Sequence, residues 1–282
     1  MGKSSTKILR DFQIQQITCL KYLSNGYVAS GSSDGTVNIW NPKTWSSIQK
    51  YSEHTSYVLN LDQIDNDTMV SGSYDQTIRI WKISTNETLR IINVNPTAYS
   101  VRVLSNEFQV VCGFNGTKDN LKIYNYFTNQ LVQTLDGHID SVSSLEILNE
   151  QFIASGGYDK KVIIWDLYTY SIQYNLSKHL THVTCLKRLS SSLIASSDAS
   201  GLILVWNYLQ GTLVYKLIGH TGALGFSSLD LFDDQTLISG SYDQTVKFWN
   251  ISNGQLIQTI KTNIQIRALT MLKAGKTFVI FL

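Results

Sequence analysis

Short segments rich in β-branched and apolar residues recur along the chain, some of them alternating with polar residues, which is the pattern of β-strands that are mixed rather than cleanly amphipathic. In residues 77–82, for example, Ile78 and Ile80 fall on one face and Arg79 and Trp81 on the other. Polar turn-forming residues separate these segments. The succession over one period of the pattern is strand, tight turn, strand, tight turn, strand, loop and strand, so a four-stranded unit is predicted.

The unit is repeated. The run Ser71–Thr77 recurs almost unchanged as Ser239–Thr245, and related runs begin at Ser30 and Ser155. The runs lead into short β-branched segments, and the corresponding segment of each unit ends in an aromatic residue: Trp40, Trp81, Tyr124, Trp165, Trp206 and Trp249. The intervals between these aromatic residues are 41, 43, 41, 41 and 43 residues. A period of this length with no helical pattern inside it is typical of blades arranged around an axis.

Histidines stand at a nearly fixed distance before the aromatic residue. His54, His138 and His179 each precede the Trp of their unit by 27 residues, and His220 precedes Trp249 by 29. A Gly-His-like mark followed by Ser-Gly-x-x-Asp and a terminal Trp resembles the repeat of the WD-repeat (WD40-type) β-propeller family. The resemblance covers nearly the full length of the chain.

In that family the loop His, the Ser of the second strand, the Asp of the next turn and the Trp of the third strand form one hydrogen-bonded network in each blade. We call this group a tetrad. The indole N–H is only a donor, whereas the hydroxyl and the carboxylate can accept, so the four groups can satisfy one another. The resemblance implies three complete structural tetrads: His54, Ser71, Asp75 and Trp81; His138, Ser155, Asp159 and Trp165; and His220, Ser239, Asp243 and Trp249.

Three units depart from the family pattern. The first keeps Ser30, Asp34 and Trp40 but has Gln13 where the His belongs. The third has Tyr124 in place of Trp, has no His and carries an enlarged turn over residues 115–119. In the fifth unit Ser200 occupies the Asp position, and Asp198, two residues earlier, is a possible substitute.

Six units are complete between about residues 16 and 260, and a seventh begins with residues 264–272 and 276–281 and then stops. Propellers of this family usually close the ring with an N-terminal strand, and residues 7–12 are placed to do so. The predicted fold is therefore all-β: a seven-bladed β-propeller of four-stranded antiparallel blades, formed as one domain by residues 1–282. The last blade, from residues 264–281 plus 7–12, is expected to be incomplete at the C-terminus and closed by the N-terminal strand. The alternative is a truncated chain.

Composition and charge restrict the classes of function that the chain can have. Hydrophobic residues make up 43% of the chain and charged residues 16%, which predicts a fully folded chain. Lys plus Arg number 23 against 21 Asp plus Glu, with no run of like charges, so no nucleic-acid partner is expected. There is no apolar stretch of membrane-spanning length and no signal-like start, which favours a cytoplasmic or nuclear protein. Three widely separated cysteines with no Cys-x-x-Cys spacing predict neither a disulfide framework nor a metal site.

A Ser, a His and an Asp that converge in space are also the parts of a hydrolase triad. Here the set recurs unit after unit with a Trp attached, which indicates internal bracing rather than catalysis. We therefore predict no catalytic residue, no cofactor and a non-enzymatic scaffold that binds protein or peptide partners on one face of the propeller. Two alternatives are a substrate-recognition subunit of a ubiquitin ligase or other multiprotein complex and, more remotely, a metal-dependent propeller hydrolase. No metal ligand set is predicted, because the fifth histidine, His182, has no partner at ligand spacing.

The resemblance also indicates where partners bind. Family members usually present ligands with the face that carries the loops leading into the inner strands and the turns between the second and third strands. The partner-binding face predicted there includes Tyr57, Ser141 and His182 from the loops and Tyr74, Tyr158 and Tyr242 from the turns, with Ala223 and Ala199 at the remaining positions of the two sets. Exposed tyrosines are enriched at interface hot spots, although the rings can equally cover the turns beneath them.

None of these positions is an Arg, which disfavours a receptor for phosphorylated peptides. Arg102 and Arg267 fall in inner strands and can face the channel, although a structural role is the favoured interpretation.

The N-terminus carries a lipidation candidate. Gly2 follows Met1, and Thr6 follows at the spacing of an N-myristoylation signal. Attachment of the protein to a membrane is expected only if Gly2 is acylated.

Overall fold

A computed structural model of the chain describes the backbone of residues 6–8, 16–105, 108–272 and 277–281, and the side chains of residues 16–105 and 108–272. The first strand is β1 (Thr6–Ile8). Blade 1 consists of β2 (Ile17–Tyr22), β3 (Val28–Ser32), β4 (Val37–Asn41) and β5 (Ser46–Tyr51). Blade 2 consists of β6 (Val58–Gln63), β7 (Thr68–Ser73), β8 (Thr77–Lys82) and β9 (Glu87–Asn93). Blade 3 consists of β10 (Ala98–Val103), β11 (Gln109–Phe114), β12 (Leu121–Asn125) and β13 (Gln130–Thr134).

The second half of the chain repeats this arrangement. Blade 4 consists of β14 (Val142–Ile147), β15 (Phe152–Gly157), β16 (Val162–Asp166) and β17 (Ser171–Leu176). Blade 5 consists of β18 (Val183–Arg188), β19 (Leu193–Asp198), β20 (Ile203–Asn207) and β21 (Thr212–Leu217). The sixth sheet contains β22 (Leu224–Asp233), β23 (Thr236–Ser241), β24 (Thr245–Asn250) and β25 (Leu256–Lys261), followed by β26 (Ala268–Leu272) and β27 (Thr277–Phe281).

The repeated run Ser71–Thr77 builds the turn between the second and third strands. In blade 2 the Asp75 carboxylate accepts hydrogen bonds from the Thr77 N–H at 2.9 Å and the Thr77 hydroxyl at 2.7 Å. Gln76 has a φ of 64°, a left-handed conformation that the tight turn requires. The corresponding Gln244 in the sixth sheet has a φ of 65°. The recurring letters of the sequence therefore specify a recurring turn geometry.

In blades 1 and 4 the Gly of the Ser-Gly pair lies where neighbouring blades approach closely. A Cβ added at Gly31 would lie 2.7 Å from Val58 of blade 2, and one added at Gly156 would lie 2.5 Å from Val183 of blade 5. Any side chain at these positions would push the blades apart. The Ser-Gly pair thus supplies a tetrad hydroxyl and, next to it, the space for the following blade.

The structure contains six blades, so the prediction of seven is wrong. The described strands form five four-stranded sheets and one seven-stranded sheet with the order β1-β27-β26-β22-β23-β24-β25. Strand β22 spans ten residues, whereas the innermost strands of the other blades span six. Its irregular first part pairs in parallel with β26 at Ser227 and Ala268, which joins the C-terminal strands to the sixth blade instead of leaving them as a separate blade. The four-stranded antiparallel blades themselves are as predicted.

The N-terminal strand also differs from the prediction. Strand β1 pairs with β27 in parallel, with Thr6 opposite Phe278 and Ile8 opposite Ile280. It lies beside the second C-terminal strand and does not serve as the outer, antiparallel strand of a blade. The rest of the predicted closing segment, residues 9–12, lies outside the described residues.

The space between blade 6 and blade 1 is filled by the C-terminal strand β26. Ala268 and Leu272 pack on one side against Ile17, Val28 and Trp40 of blade 1. Leu269 and Met271 belong to a cluster on the other side with Ile238, Val246 and Phe248 of blade 6. Burial of apolar surface between adjacent sheets is therefore continuous around the ring. In the part of the chain that the structure describes, no helix is long and apolar enough to cross a membrane.

Candidate functional site

The residues of each predicted tetrad are brought together inside one blade. In blade 2 the Trp81 indole donates to Ser71 Oγ at 2.7 Å, and Ser71 Oγ lies 2.7 Å from His54 Nε2. The other ring nitrogen, His54 Nδ1, lies 2.7 Å from Asp75 Oδ2. A neutral imidazole protonated at Nδ1 satisfies every one of these groups, since it donates to the carboxylate and accepts from the hydroxyl. The two other predicted sets have the same contacts: Trp165 with Ser155, Ser155 with His138 and His138 with Asp159; and Trp249 with Ser239, Ser239 with His220 and His220 with Asp243.

Blade 5 contains a fourth tetrad in which the acid has moved. His179 Nδ1 lies 2.9 Å from Asp198 Oδ2, while Ser196 Oγ lies 2.7 Å from His179 Nε2 and accepts from the Trp206 indole at 2.8 Å. Asp198 follows the tetrad Ser by two residues instead of four, and the Ser200 hydroxyl donates to it at 2.6 Å. The substitute acid named in the sequence therefore occupies the tetrad, and Ser200 takes the place of the Thr that follows the Asp in blade 2.

Hydrogen bonding within the tetrads favours the ionised form of the Asp side chain. Burial alone would raise the pKa of Asp198, but hydrogen bonds from His179 and Ser200 outweigh it and lower the pKa to about 2. In the other three tetrads, hydrogen bonds likewise outweigh burial and lower the pKa of Asp75, Asp159 and Asp243 below the ordinary value. Burial lowers the pKa of His220, against the opposing effect of Asp243. In the tetrad of blade 6, a carboxylate beside a neutral imidazole is therefore the stable state at neutral pH.

Blade 3 lacks the tetrad and has a thiol and a partly exposed tyrosine at the positions of its Ser and Trp. Cys112 stands at the position of the tetrad Ser and is fully buried, and burial raises the pKa of its thiol. Tyr124 stands at the Trp position and packs edge-on against Phe114 with ring centroids 6.2 Å apart. Removing all members of a buried polar network together is nearly neutral, whereas removing one member is costly. In blade 1 the Trp40 indole still donates to Ser30 Oγ at 2.8 Å, while Gln13 lies outside the described residues.

The tetrads do not have the accessibility that a nucleophile requires. Ser71, Ser155, Ser196 and Ser239 each have 0% of their surface exposed. A substrate carbonyl cannot approach a hydroxyl that is enclosed by an indole and an imidazole. Within the described ranges, no group of three or more His, Cys, Asp or Glu side chains is arranged to hold a metal ion.

The two predicted sets of face positions adjoin each other in pairs. The backbone N–H of Tyr74 donates to the carbonyl of Tyr57 at 2.8 Å, and the equivalent bonds in the later blades join Tyr158 to Ser141, Ala199 to His182 and Tyr242 to Ala223. Each turn between a second and third strand is thus held against the loop that leads into the inner strand. Tyr57, Tyr74, Tyr158 and Tyr242 of these sets line one cavity at one end of the central channel.

Aromatic side chains form a continuous arc at this end of the channel. Ring centroids are 6.3 Å apart between Tyr57 and Tyr74, 6.2 Å between Tyr74 and Tyr99, 6.2 Å between Tyr99 and Tyr158, and 4.6 Å between Tyr158 and His182. Tyr57 is 52% exposed and Tyr74 47% exposed. Since each ring supports the next, the arc is ordered without being buried. Burial lowers the pKa of His182, which keeps its imidazole neutral at physiological pH.

Tyr99, the central ring of the arc, was missed by the sequence analysis. The inner strand of each of the first five blades contains a register shift, and in blade 3 the shift lies between Ala98 and Ser100. The residue inside the shift has no partner in the neighbouring strand, and its side chain points in a different direction from that of a regular strand residue. This residue is Thr18 in blade 1 and Ser143 in blade 4, and each hydroxyl donates a hydrogen bond to a backbone carbonyl of its own blade. In blade 3 it is Tyr99, which lines the channel; aligning the inner strands on their bulge position would have revealed it.

The arc borders a cavity of about 260 Å³ that opens at the same end of the channel. Phe226, Tyr242 and Arg267 line the cavity on the side of blade 6. Phe226 is 46% exposed, and the Arg267 guanidinium lies 5.6 Å from the centroid of the Tyr242 ring. We call the cavity together with the arc and these three residues the channel mouth. Phe226 was not predicted, because it lies in the irregular part of β22 that has no counterpart in the other repeats.

Ser141 has a different environment from the other predicted face residues. Ser141 is buried, and its hydroxyl donates to Asn115 Oδ1 at 2.8 Å. Ser141 Oγ also accepts a hydrogen bond from the Gly116 N–H at 3.2 Å. Ser141 therefore holds the enlarged turn of blade 3 against blade 4. The lipidation candidate Gly2 lies outside the described residues.

Further along the inner strands, away from the mouth, one charged residue from each blade contributes to a ring in which the signs alternate. We call this ring the charge belt: Lys21, Asp62, Arg102, Glu146, Lys187 and Asp230. Three ion pairs join neighbouring blades, at 2.6 Å for Lys21 with Asp62, 3.7 Å for Arg102 with Glu146 and 2.7 Å for Lys187 with Asp230. The alternation was not seen in the sequence, because these residues lie about 40 positions apart.

The acids of the belt also satisfy backbone groups. The first strand of a blade is an edge with unpaired N–H groups. Asp62 accepts from the Val103 N–H of blade 3 at 2.9 Å, Glu146 from the Arg188 N–H of blade 5 at 3.0 Å, and Asp230 from the Met271 N–H of β26 at 2.8 Å. Each acid thus pairs with a cation of the preceding blade and caps the edge of the following element. Burial opposes ionisation of Asp62, but the charges of Lys21 and Arg102 prevail and lower its pKa.

The fold and the repeated tetrads define a β-propeller built from WD-type repeats, and comparison with known families agrees. Four segments match the family described as WD domain, G-beta repeat, at residues 7–41, 45–82, 129–166 and 211–250, together more than half of the chain. The chain belongs to this family. The two longest unmatched intervals contain the inner three strands of blade 3, which lacks the tetrad, and of blade 5, in which the tetrad acid is displaced.

Similarity to curated proteins extends over about half of the chain. The chain is 26% identical over 155 residues to a p21-activated protein kinase-interacting protein 1-like of Xenopus laevis, covering 52% of this chain and 39% of that protein. It is 23% identical over 157 residues to a protein of the same description from Danio rerio, covering 53% and 40%. A Periodic tryptophan protein 2 homolog of Caenorhabditis elegans is 27% identical over 159 residues, covering 53% of this chain and 17% of that protein. The match thus spans two fifths or less of these relatives.

Proposed function

We propose that this protein is a non-enzymatic interaction scaffold that binds a protein or peptide partner at the channel mouth. The observation that carries the proposal is the arc of Tyr57, Tyr74, Tyr99, Tyr158 and His182 beside an open cavity. Tyrosines combine a large apolar ring with a polar tip and lose little conformational entropy on binding, which suits them to recognise peptide surfaces. The names of the Xenopus and Danio relatives specify a protein as the binding partner, which supports this class of ligand.

The distribution of polar groups supports a binding role over a catalytic one. The Ser, His and Asp side chains that resemble a triad are buried in the blades and satisfy one another. The channel mouth, in contrast, presents aromatic rings, Asn60 and Arg267 to the cavity. These groups can stack on and hydrogen-bond a ligand, but they do not form a nucleophile and general base pair of the kind that acyl transfer requires.

The test is affinity capture from an extract of the source cells followed by mass spectrometry. The bait carries Tyr74→Ala, Tyr158→Ala and Tyr242→Ala together, and its thermal unfolding is compared with that of the wild type. We expect loss of the partners captured by the wild type with little change in stability, since surface aromatic truncations remove contacts with a partner more than contacts of the core.

A matched control carries Phe127→Ala, Tyr168→Ala and Leu209→Ala. These side chains are 63%, 67% and 48% exposed and lie in turns between third and fourth strands, at the other end of the blades from the mouth. Capture should survive in this control. Retained capture by the mouth variant, or equal loss in both variants, would contradict the assignment of the face.

A further inference from the structure

The side of the channel mouth formed by blade 6 depends on a close approach between two backbone segments. A Cβ added at Gly225 would lie 2.3 Å from the carbonyl oxygen of Arg267, so only Gly fits there. The adjacent Ser227 pairs with Ala268. This contact brings Phe226 of β22 and Arg267, next to β26, together at the rim of one cavity. The same feature that changes the number of blades therefore adds an apolar ring and a cation to the mouth.

Arg267 differs from the cations of the charge belt. Lys21, Arg102 and Lys187 each have a carboxylate partner within 3.7 Å. Arg267 packs over the Tyr242 ring, and no described carboxylate lies within ion-pair distance of it. It is also the only charged side chain among the described residues that line the cavity. The cavity lining thus combines one positive charge, which no described carboxylate pairs, with exposed aromatic rings, while the Asp140 carboxylate acts on Tyr99 and Tyr158 from outside the lining.

From this charge distribution we infer that the channel mouth selects a peptide segment in which an acidic side chain neighbours an aromatic or large aliphatic side chain. The carboxylate binds the Arg267 guanidinium, and the apolar side chain enters the cavity between Phe226 and the tyrosine arc. This inference rests on the proposed function and specifies the chemistry of the partner. Guanidinium groups bind carboxylates through two parallel hydrogen bonds, and the position of the Arg267 guanidinium over the Tyr242 ring does not occupy its N–H donors with a carboxylate.

One charge matches a carboxylate better than a phosphorylated side chain. A phosphate group carries about 1.5 to 2 negative charges at neutral pH, and its recognition commonly uses clustered arginines. The described lining of the cavity offers a single cation. The remaining polar atoms, including the tyrosine hydroxyls and the Asn60 amide, suit the backbone groups of an extended peptide. The occupant is therefore an unmodified acidic peptide.

The experiment is selection from a phage-displayed library of random heptapeptides on immobilised full-length protein. Five baits are compared: the wild type, Arg267→Gln, Arg267→Lys, the control Arg90→Gln and the triple variant Tyr74→Ala, Tyr158→Ala and Tyr242→Ala. Arg90 is exposed and lies over Phe127 outside the channel. Thermal unfolding of each bait establishes that it is folded. Selected peptides are then synthesised and their Kd values measured by fluorescence anisotropy.

We expect the wild type and Arg90→Gln to enrich peptides with Asp or Glu next to an aromatic or large aliphatic residue. Arg267→Gln should lose the acidic preference, keep the apolar one and bind the selected peptide about tenfold more weakly, the effect of a lost hydrogen bond to a charged group. Arg267→Lys should retain the acidic preference with reduced affinity. Enrichment of basic or neutral peptides by the wild type, or acidic enrichment that survives Arg267→Gln, overturns the inference while leaving the proposed function intact. If the wild type selects no more peptide than the triple variant Tyr74→Ala, Tyr158→Ala and Tyr242→Ala, both the inference and the proposed function fail.

Discussion

The two ends of the central channel are built on the same inner strands but have opposite chemistry. At the mouth, Tyr57, Tyr74 and Phe226 are about half exposed, and Arg267 has no described acidic partner. In each of the first five inner strands, the residue of the charge belt lies three positions after the residue at the register shift, roughly 10 Å away at the usual rise per residue. Each described cation of the belt pairs with an acid, and each acid also accepts a hydrogen bond from a backbone N–H. The charges of the belt are paired within the protein, whereas the mouth presents exposed rings and a cation that are accessible to a ligand.

This difference indicates how one repeated strand serves two purposes. Side chains whose partners lie in the next blade contribute to the stability of the ring, while side chains that project from bulges and turns contribute to recognition. Residues of the belt should therefore matter for unfolding and not directly for ligand binding, and residues of the mouth should show the reverse. Three measurements test this distinction and a fourth tests the same idea on the tetrads, beginning with the one of largest expected effect.

The belt should be sensitive to loss of a single acid. Replacing Asp62 with Ala removes the partner of Lys21 and the acceptor of the Val103 N–H, which should lower the free energy of unfolding by roughly 2–3 kcal/mol. Urea denaturation of the variant beside Tyr74→Ala measures the contrast, because the mouth variant should change stability by about 0.5 kcal/mol or less. Similar losses in the two variants would remove the distinction between the two ends.

Blade 3 offers a test of whether polar bracing works only as a complete set. Cys112→Ser places a hydroxyl at the tetrad position of a blade that has no His and no Trp to bond it. We expect destabilisation by about 1–2 kcal/mol, the cost of an unsatisfied buried polar group, measured by urea denaturation. Cys19→Ser is the comparison, since Cys19 is buried but lies in an inner strand outside any tetrad position. An increase in stability on Cys112→Ser would show that the hydroxyl finds partners that we have not identified.

Acid should weaken the belt. The folded-state pKa of Asp62 lies below its ordinary value of about 3.9, so its contribution to stability is present above that pH and is lost as the pH falls through the folded-state pKa. In Asp62→Asn, the free energy of unfolding should therefore be lower at pH 7 and should decline less steeply below about pH 4. The pH dependence of urea unfolding measures this, with Tyr74→Phe expected to follow the wild type. If the free energy of unfolding of Asp62→Asn falls as steeply below pH 4 as that of the wild type, the ionisation of Asp62 is not linked to folding.

The smallest effect on stability is expected at the mouth. Phe226→Ala removes an exposed ring and should change the free energy of unfolding by about 0.5 kcal/mol or less. Its affinity for a peptide selected by the wild type should fall about tenfold, because the ring lines the cavity that receives the apolar side chain. Phe127→Ala, on an exposed ring outside the channel, should leave that affinity unchanged. Unchanged affinity in Phe226→Ala would exclude blade 6 from the binding site.

Prediction from sequence succeeded where the information is local and repeated. The members of the three predicted tetrads are 4 to 29 residues apart and recur in register, and even the displaced Asp198 is recognisable as a substitute acid. The turns and four-stranded blades follow from the same repeats. The partner-binding face stays a prediction: its tyrosines line one cavity, and Ser141 holds a turn.

Prediction failed where the information depends on departures from the repeat. Tyr99 was missed because a bulge re-aims it, and Phe226 because ten-residue β22 has no counterpart in the other blades. The charge belt was missed because its partners belong to different blades. The number of blades was wrong because a seventh repeat in the sequence does not require a seventh sheet: a single pairing, Ser227 with Ala268, joins its strands to the sixth.

The sequence by itself determined the family, the four-stranded blade and the internal bracing, because turn chemistry and the hydrogen-bonding capacity of Ser, His, Asp and Trp are properties of residues close together in the chain. The tertiary structure decided how the ring closes, which residues meet in the charge belt and which side chains form the channel mouth. These depend on the packing of blades whose residues are tens of positions apart, and local pattern carries no information about which exposed or charged groups that packing brings together.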